Sequence, residues 1–290
     1  MHPARFAYAR PADLAEALDR LAGSAAPAVL AGGLDLVPAL RARKARPDTV
    51  VDISAIPGLD YASLRDGSLV AGATARQDQV LRLAEAHPGF ALLAAAMRTM
   101  GTAQVRRTGT VVGTVMQADP ALQLAAVCGV LDAIVELRGP EGTRRLAAAS
   151  LFAGTRLPHG TLAVEIALRP MAEREGWAFA RAGLREIGGH LGGVAARLSF
   201  GADGRHVADA VVAPFVAGHD GSPLGPVGAA LAGRPLDPDT LRDAEAAARA
   251  AVRTTGDNLS SADYRRHLVG VLTRRALAEA AGRARRNPDV

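Results

Sequence analysis

The stretch Ala28-Val29-Leu30-Ala31-Gly32-Gly33-Leu34-Asp35-Leu36 decides the fold class. Residues 28–31 form a short apolar run of the kind a buried strand needs. The glycine pair ends that run, and a second helix follows over 34–43. Strand, Gly-Gly and helix in succession allow backbone N–H groups to come close to a phosphate, with the helix dipole adding to the attraction. The same pair also fits a tight turn that needs positive φ. Spacing alone does not choose between the two readings.

Working outward, residues 6–8 read as a strand, and Pro11 is placed to open a helix at its first turn. Asp13 and Glu16 suit the positive end of that helix. Leu14, Ala17, Leu18 and Leu21 form its apolar stripe. On the other side of the glycines, Pro47 stops the second helix and residues 49–53 form a third strand. Strands separated by helices at this spacing imply a parallel βαβαβ unit. Further on, 68–74 reads as a strand, 77–85 and 89–99 as helices, 101–114 as a Gly/Thr-rich loop and 120–130 as an apolar helix. Residues 134–138 and 162–168 read as strands. After Pro170 the texture changes to an antiparallel meander over 194–200 and 207–212. A helical tail runs from Pro238, with Ser260 and Asp263 spaced as a capping box. A boundary falls near 169–175, and the fold class is α+β.

The 290 residues are 49% hydrophobic, enough for one large core or two to three small ones. No run reaches the roughly 18 apolar residues of a membrane span. The first ten residues carry no apolar signal segment, so a cytoplasmic protein is expected. The net charge of +5 invites a nucleic-acid reading, but the basic residues are interspersed with acids. Aromatics are only 3%, which leaves few stacking platforms, so no nucleic-acid partner is expected. The single cysteine, Cys128, lies in an apolar run and reads as a buried thiol. It excludes a cysteine-ligated iron–sulfur cluster, which takes about four thiolates. The seven histidines are scattered without metal-ligand spacing. His190, between two glycine pairs, has the most open local sequence. No dinucleotide Gly-x-Gly-x-x-Gly, no Walker A motif and no Gly-x-Ser-x-Gly elbow is present.

A second segment could carry chemistry. Gly101 to Thr114 combines small residues, hydroxyls and the Arg106-Arg107 pair, and runs on to Ala118-Asp119-Pro120. Together with Ala31 to Leu36, Gly72-Ala73-Thr74, Gly193-Val194-Ala195-Ala196 and Ser261 to Leu268, it resembles the FAD-binding medium subunit of the molybdenum hydroxylases. That family includes xanthine and carbon monoxide dehydrogenases. The similarity spans about 6–281. The resemblance implies a two-part PCMH-type FAD-binding domain over 1–172, with sub-parts of about 1–57 and 58–172. A carbon monoxide dehydrogenase flavoprotein-like C-terminal domain, an antiparallel sheet with helices, would cover 173–290. It implies FAD, with Ala31, Gly32, Gly33, Leu34, Asp35 and Leu36 along the pyrophosphate. Gly109, Thr110, Gly113 and Thr114 would form a second loop against it, with Ala73 and Thr74 nearby and Asp119 close to the ribityl chain. It also implies two partners, a molybdopterin-binding large subunit and an iron–sulfur small subunit. Electrons would pass from the clusters through the flavin to an external acceptor.

Four positions depart from the family pattern. Arg107-Thr108 stands for Asn-Arg, Val112-Gly113 for Gly-Gly, Gln123 for an acidic residue, and Gly188-Gly189-His190 for Asp-Phe-Ala. A side chain at 112 would crowd a phosphate unless it points away. These departures keep two further readings open, a stand-alone flavoprotein enzyme and a non-enzymatic protein that has lost FAD.

Overall fold

A computed structural model of the chain describes residues 2–184 and 190–286. The first unit is β1 (Ala7–Ala9), α1 (Leu14–Ala22), β2 (Pro27–Leu30), α2 (Leu36–Arg41) and β3 (Thr49–Asp52). Its strands pair in parallel in the order β1-β3-β2, as the alternation of strand and helix requires. α1 begins later than Pro11. Asp13 is its N-cap and accepts from Glu16 N at 2.9 Å, while Glu16 accepts from Ala12 N at 2.9 Å. A carboxylate that satisfies a free N–H sets the start more strongly than a proline that only tolerates it.

The second unit comprises β4 (Ala62–Arg65), β5 (Ser68–Gly72), α3 (Gln77–Ala86), a 3₁₀ turn (Pro88–Phe90), α4 (Ala91–Arg98), α5 (Ala103–Thr108), α6 (Val111–Met116), α7 (Gln123–Val130), β6 (Ile134–Gly139), β7 (Gly142–Ala147), α8 (Ala148–Phe152) and β8 (Leu162–Leu168). Its five strands pair antiparallel in the order β4-β5-β8-β6-β7. β8 lies in the middle, which is why Leu162 to Leu168 reads as an almost unbroken apolar run. The segment 101–114 is not a loop. Thr102 caps α5 through Val105 N, and Thr110 caps α6 through Gly113 N.

The third unit is β9 (Glu175–Gly183), β10 (His190–Phe200), β11 (Val207–Phe215), α9 (Gly225–Leu231), α10 (Pro238–Ala251) and α11 (Ala262–Arg286). β10 is the central strand of the antiparallel sheet, between β9 and β11. Successive residues of β10 face opposite sides. Ala195 joins Ala213 and Phe215 against the core of the second unit, which includes α7. Val194, Ala196 and Leu198 face Leu268, Leu272 and Ala276 of α11. Ser261, not Ser260, caps α11, its hydroxyl accepting from Tyr264 N at 3.2 Å. Across the junction of the second and third units, Glu175 binds Arg169 at 2.8 Å and Arg197 at 3.2 Å, and Asp132 binds Arg169 at 2.8 Å. Among the described residues no helix is long and apolar enough to cross a membrane.

Candidate functional site

The turn between β2 and α2 and the start of α6 close on one cavity of about 420 Å³, a size typical of small-molecule and cofactor sites. All the residues that the resemblance assigns to FAD line it except Thr74 and Asp119. Ala31, Gly32, Gly33, Leu34, Asp35 and Leu36 form one wall, Gly109, Thr110, Gly113 and Thr114 the facing one, and Ala73 part of the floor. Thr74 is buried away from the cavity wall, its hydroxyl without a partner. Asp119 is exposed on the turn before α7, where it accepts from Ala121 N at 2.9 Å.

The two glycines of the first wall are there for different reasons. Gly33 has φ +76°, a conformation that side chains disfavour. Gly32 has no such φ, but a Cβ on it would come 2.6 Å from the Thr108 carbonyl oxygen and 3.0 Å from Gly109 Cα. The absence of a side chain lets the two walls touch. Among the described residues, the backbone N–H groups of Gly33, Leu34 and Asp35 have no hydrogen-bond acceptor. Unpaired donors at a concave turn suit an anion such as a pyrophosphate. Partial desolvation, then the nearby Asp119 charge, raise the Asp35 carboxyl above its ordinary range.

The second wall is held by side-chain caps. Thr110 Oγ1 accepts from Gly113 N at 3.2 Å, and a Cβ on Gly113 would strike that oxygen at 2.5 Å. Thr114 donates its hydroxyl to the Thr110 carbonyl at 3.0 Å. Val112, a departure from Gly-Gly, is 3% exposed and packs in the central core, and it also lines the cavity of about 420 Å³. Gln123 is also interior, its amide near Thr99 at the end of α4. The Thr108 carbonyl accepts from the Arg76 guanidinium, which ties α5 to the start of α3. Gly188 and Gly189 lie outside the described residues. His190 is half-buried beside the edge of Phe215, 5.9 Å between ring centres, and away from the cavity wall. Burial, then Arg181, push its pKa below the ordinary histidine value. Cys128 is fully buried, which pushes its thiol up to about 12, so it is no nucleophile at neutral pH. Among the described residues no cluster could hold a metal ion.

Sequence reasoning missed Gln77, at the start of α3. It lines the cavity and donates from Nε2 to Thr114 Oγ1 at 2.9 Å. Nothing in its local sequence distinguishes it from a solvated first-turn residue; only its 5% exposure does.

A mixed α+β chain with two glycine turns closing on one cavity, one of them presenting unpaired backbone donors, has the build of a dinucleotide-cofactor protein. Comparison with known proteins specifies which kind. Residues 4–170 match the FAD binding domain in molybdopterin dehydrogenase, and residues 190–280 match the CO dehydrogenase flavoprotein C-terminal domain. The chain belongs to this family of FAD-binding subunits. It is 30% identical to the glyceraldehyde dehydrogenase medium chain of Sulfolobus acidocaldarius, over 97% of this chain and 100% of that one. It is equally identical to the carbon monoxide dehydrogenase medium chain of Afipia carboxidovorans, over 98% and 100%. The structure of carbon monoxide dehydrogenase from Hydrogenophaga pseudoflava superposes with a TM-score of 0.90 at 27% identity, covering 98% of this chain and 99% of that one. The cofactor is FAD and the chain is a subunit of an oxidoreductase of the molybdenum hydroxylase type.

Proposed function

We propose that this chain is the electron-transfer subunit of a cytoplasmic three-component hydroxylase, partnered by a molybdopterin-binding large subunit and an iron–sulfur small subunit. The observation that carries the reading is the cavity between the glycine turns, in a chain whose one cysteine is buried. A chain with one cysteine cannot hold an iron–sulfur cluster through cysteines, so in this reading the clusters that feed the flavin sit on another polypeptide. FAD, when bound, supplies the redox chemistry. The protein's part is to hold it. The free N–H groups from Gly33 to Asp35, with Gly32 and Leu36 beside them, take the pyrophosphate. Gly109, Thr110, Gly113 and Thr114 close on it from the other side, and Ala73 lies beneath. Asp119 acts from the mouth, and Thr74 supports the floor without lining it. In this reading 1–172 forms the FAD-binding domain and 173–290 the C-terminal domain that closes over it.

The relatives are subunits of dehydrogenases named for glyceraldehyde, carbon monoxide and caffeine. Similar identity to subunits serving such different compounds indicates that this subunit does not select the substrate. The test is to express the chain alone and with the genes beside its own. The expected result is a yellow protein that releases FAD near unit stoichiometry and co-purifies with a cysteine-rich small subunit and a molybdopterin subunit. A yellow chain that remains alone when those genes are co-expressed would refute the partnership and favour a stand-alone flavoenzyme.

A further inference from the structure

We propose that Asp35 makes cofactor binding proton-linked: its carboxyl takes up a proton when the pyrophosphate enters the cavity, so FAD is held more tightly in acid than in alkali. This rests on the FAD reading above and deepens it.

Among the described residues that line the cavity none is Arg, Lys or His, and Asp35 alone carries a charge. Its backbone N–H is one of the free donors of the turn, so its carboxyl hangs from the same Cα as a group proposed to take the pyrophosphate. Asp35 is the N-cap of α2, yet its side chain accepts no capping hydrogen bond. No helix N–H therefore holds the charged form. The charges on neighbouring elements are engaged elsewhere or face water. Arg76 donates to the Thr108 carbonyl, and Arg106 to those of Met100 and Gly101. Asp78 pairs with Arg82, and Asp52 accepts from Tyr8. Past the end of α2, Arg43 donates to the His2 carbonyl and Arg46 to that of Arg43, while Arg41, Lys44 and Arg107 are exposed. Partial desolvation, then Asp119, already raise the Asp35 carboxyl above its ordinary range, and no cation acts against them. A pyrophosphate brought to the same residue adds like charge and carries the shift further. The protonated acid then has an O–H to donate to a phosphate oxygen, where the carboxylate has only acceptors. Asp35 is open to water, so the proton has a path. The sign follows. The bound state holds the proton to higher pH than the free state, so affinity is full below the free-state pKa and falls as pH rises to the bound-state one.

The test uses the full chain stripped of flavin and titrated with FAD from about pH 5 to 8, a range in which the pyrophosphate diester keeps its charge. Wild type is compared with Asp35→Asn and Asp119→Asn, and calorimetry in two buffers of different ionisation enthalpy counts the protons exchanged. Wild-type binding in acid tests the underlying reading by itself, and its absence would overturn that reading and this one together. Given binding, the wild-type Kd is expected to rise by about tenfold in all, at no more than tenfold per pH unit, with uptake of up to about one proton. Asp35→Asn keeps the side-chain shape without the charge. It is expected to flatten the profile, abolish proton uptake and bind FAD about tenfold more tightly than wild type at the alkaline end, with the Tm of the flavin-free chain unchanged. Asp119→Asn should move the wild-type fall in affinity to lower pH. A flat wild-type profile would overturn the inference and leave the FAD reading standing. So would a pH dependence that survives Asp35→Asn, which would assign the proton to another group. Weaker binding by Asp35→Asn at every pH would overturn it too, because the carboxylate would then be a ligand of the cofactor in its charged form.

Discussion

The contact of Gly32 with the second wall yields a sharp prediction. In Gly32→Ala the new Cβ would sit 2.6 Å from the Thr108 carbonyl oxygen, 3.0 Å from Gly109 Cα and 3.2 Å from Thr110 N. All three are backbone atoms, so no side chain can rotate to relieve the clash. Ordinary contact at 3.4 Å requires the walls to part by about 0.8 Å. Overpacking of this kind costs about 1–3 kcal/mol. At roughly 2–4 °C per kcal/mol for a chain near this size, Tm should fall by several degrees. The walls that part are those proposed to hold the pyrophosphate, so FAD affinity should fall roughly 5- to 150-fold if the same energy is lost on binding. Gly225→Ala is the control. Its Cβ meets nothing within 4 Å, and at the start of α9 it should be neutral or slightly stabilising. Thermal unfolding and flavin titration of the two variants decide the matter. A Gly32→Ala protein with wild-type Tm and wild-type FAD affinity would refute the claim that the walls touch through this glycine.

Three further outcomes follow from the structure. Thr110→Ala removes the oxygen that accepts from Gly113 N and should cost about 1 kcal/mol in denaturant unfolding, with Thr110→Ser close to wild type. Glu175→Ala leaves Arg197, whose side chain is 11% exposed, without one of its carboxylates and takes two contacts from Arg169. It should destabilise the chain by roughly 3 kcal/mol in the same assay, and a loss below a few tenths would show that Asp132 and Asp209 suffice. Burial, then Arg181, hold the His190 pKa below 6.5, so the unfolded chain takes up that proton first. The stabilisation this gives is complete above about pH 6.5 and is lost as pH falls toward the folded value. Across roughly pH 5 to 8, Tm of His190→Phe should therefore decline less on acidification than that of wild type; parallel curves would show that His190 titrates alike in both states.

Much of this architecture was legible because burial leaves a period. The parallel unit was visible in residues 28–31 and 49–53, and β8 in the run from Leu162 to Leu168, apolar but for Glu165. What escaped notice lacked such a period. β7 is an edge strand whose Gly-Thr-Arg-Arg sequence faces solvent, and β4 is four residues at the opposite edge. β9 opens on Glu175-Gly176, with the glycine pressed against the Ala280 carbonyl of α11, a contact that only the tertiary fold creates. Helices α5 and α6 are six residues each, too short for an apolar stripe to repeat. Their signal was the caps, Thr102 and Thr110, hydroxyls three residues before the N–H each receives.

The departures from the family pattern carry a further point about reading glycines. A side chain at 112 crowds a phosphate unless it points away; Val112 lines the cavity, yet it is almost fully buried in the central core. The next position, Gly113, has no room, with Thr110 Oγ1 at 2.5 Å from where a Cβ would stand. A glycine pair in a motif is thus two separate constraints. In the first wall Gly33 answers to its φ and Gly32 to the approach of Thr108 and Gly109. In the second wall the constraint falls on Gly113, and the valine beside it is accommodated in the core. Substitution within a cofactor motif therefore predicts loss of the cofactor only at the position whose missing side chain is occupied by backbone or by a cap. In this chain those positions, 32 and 113, are both still glycine.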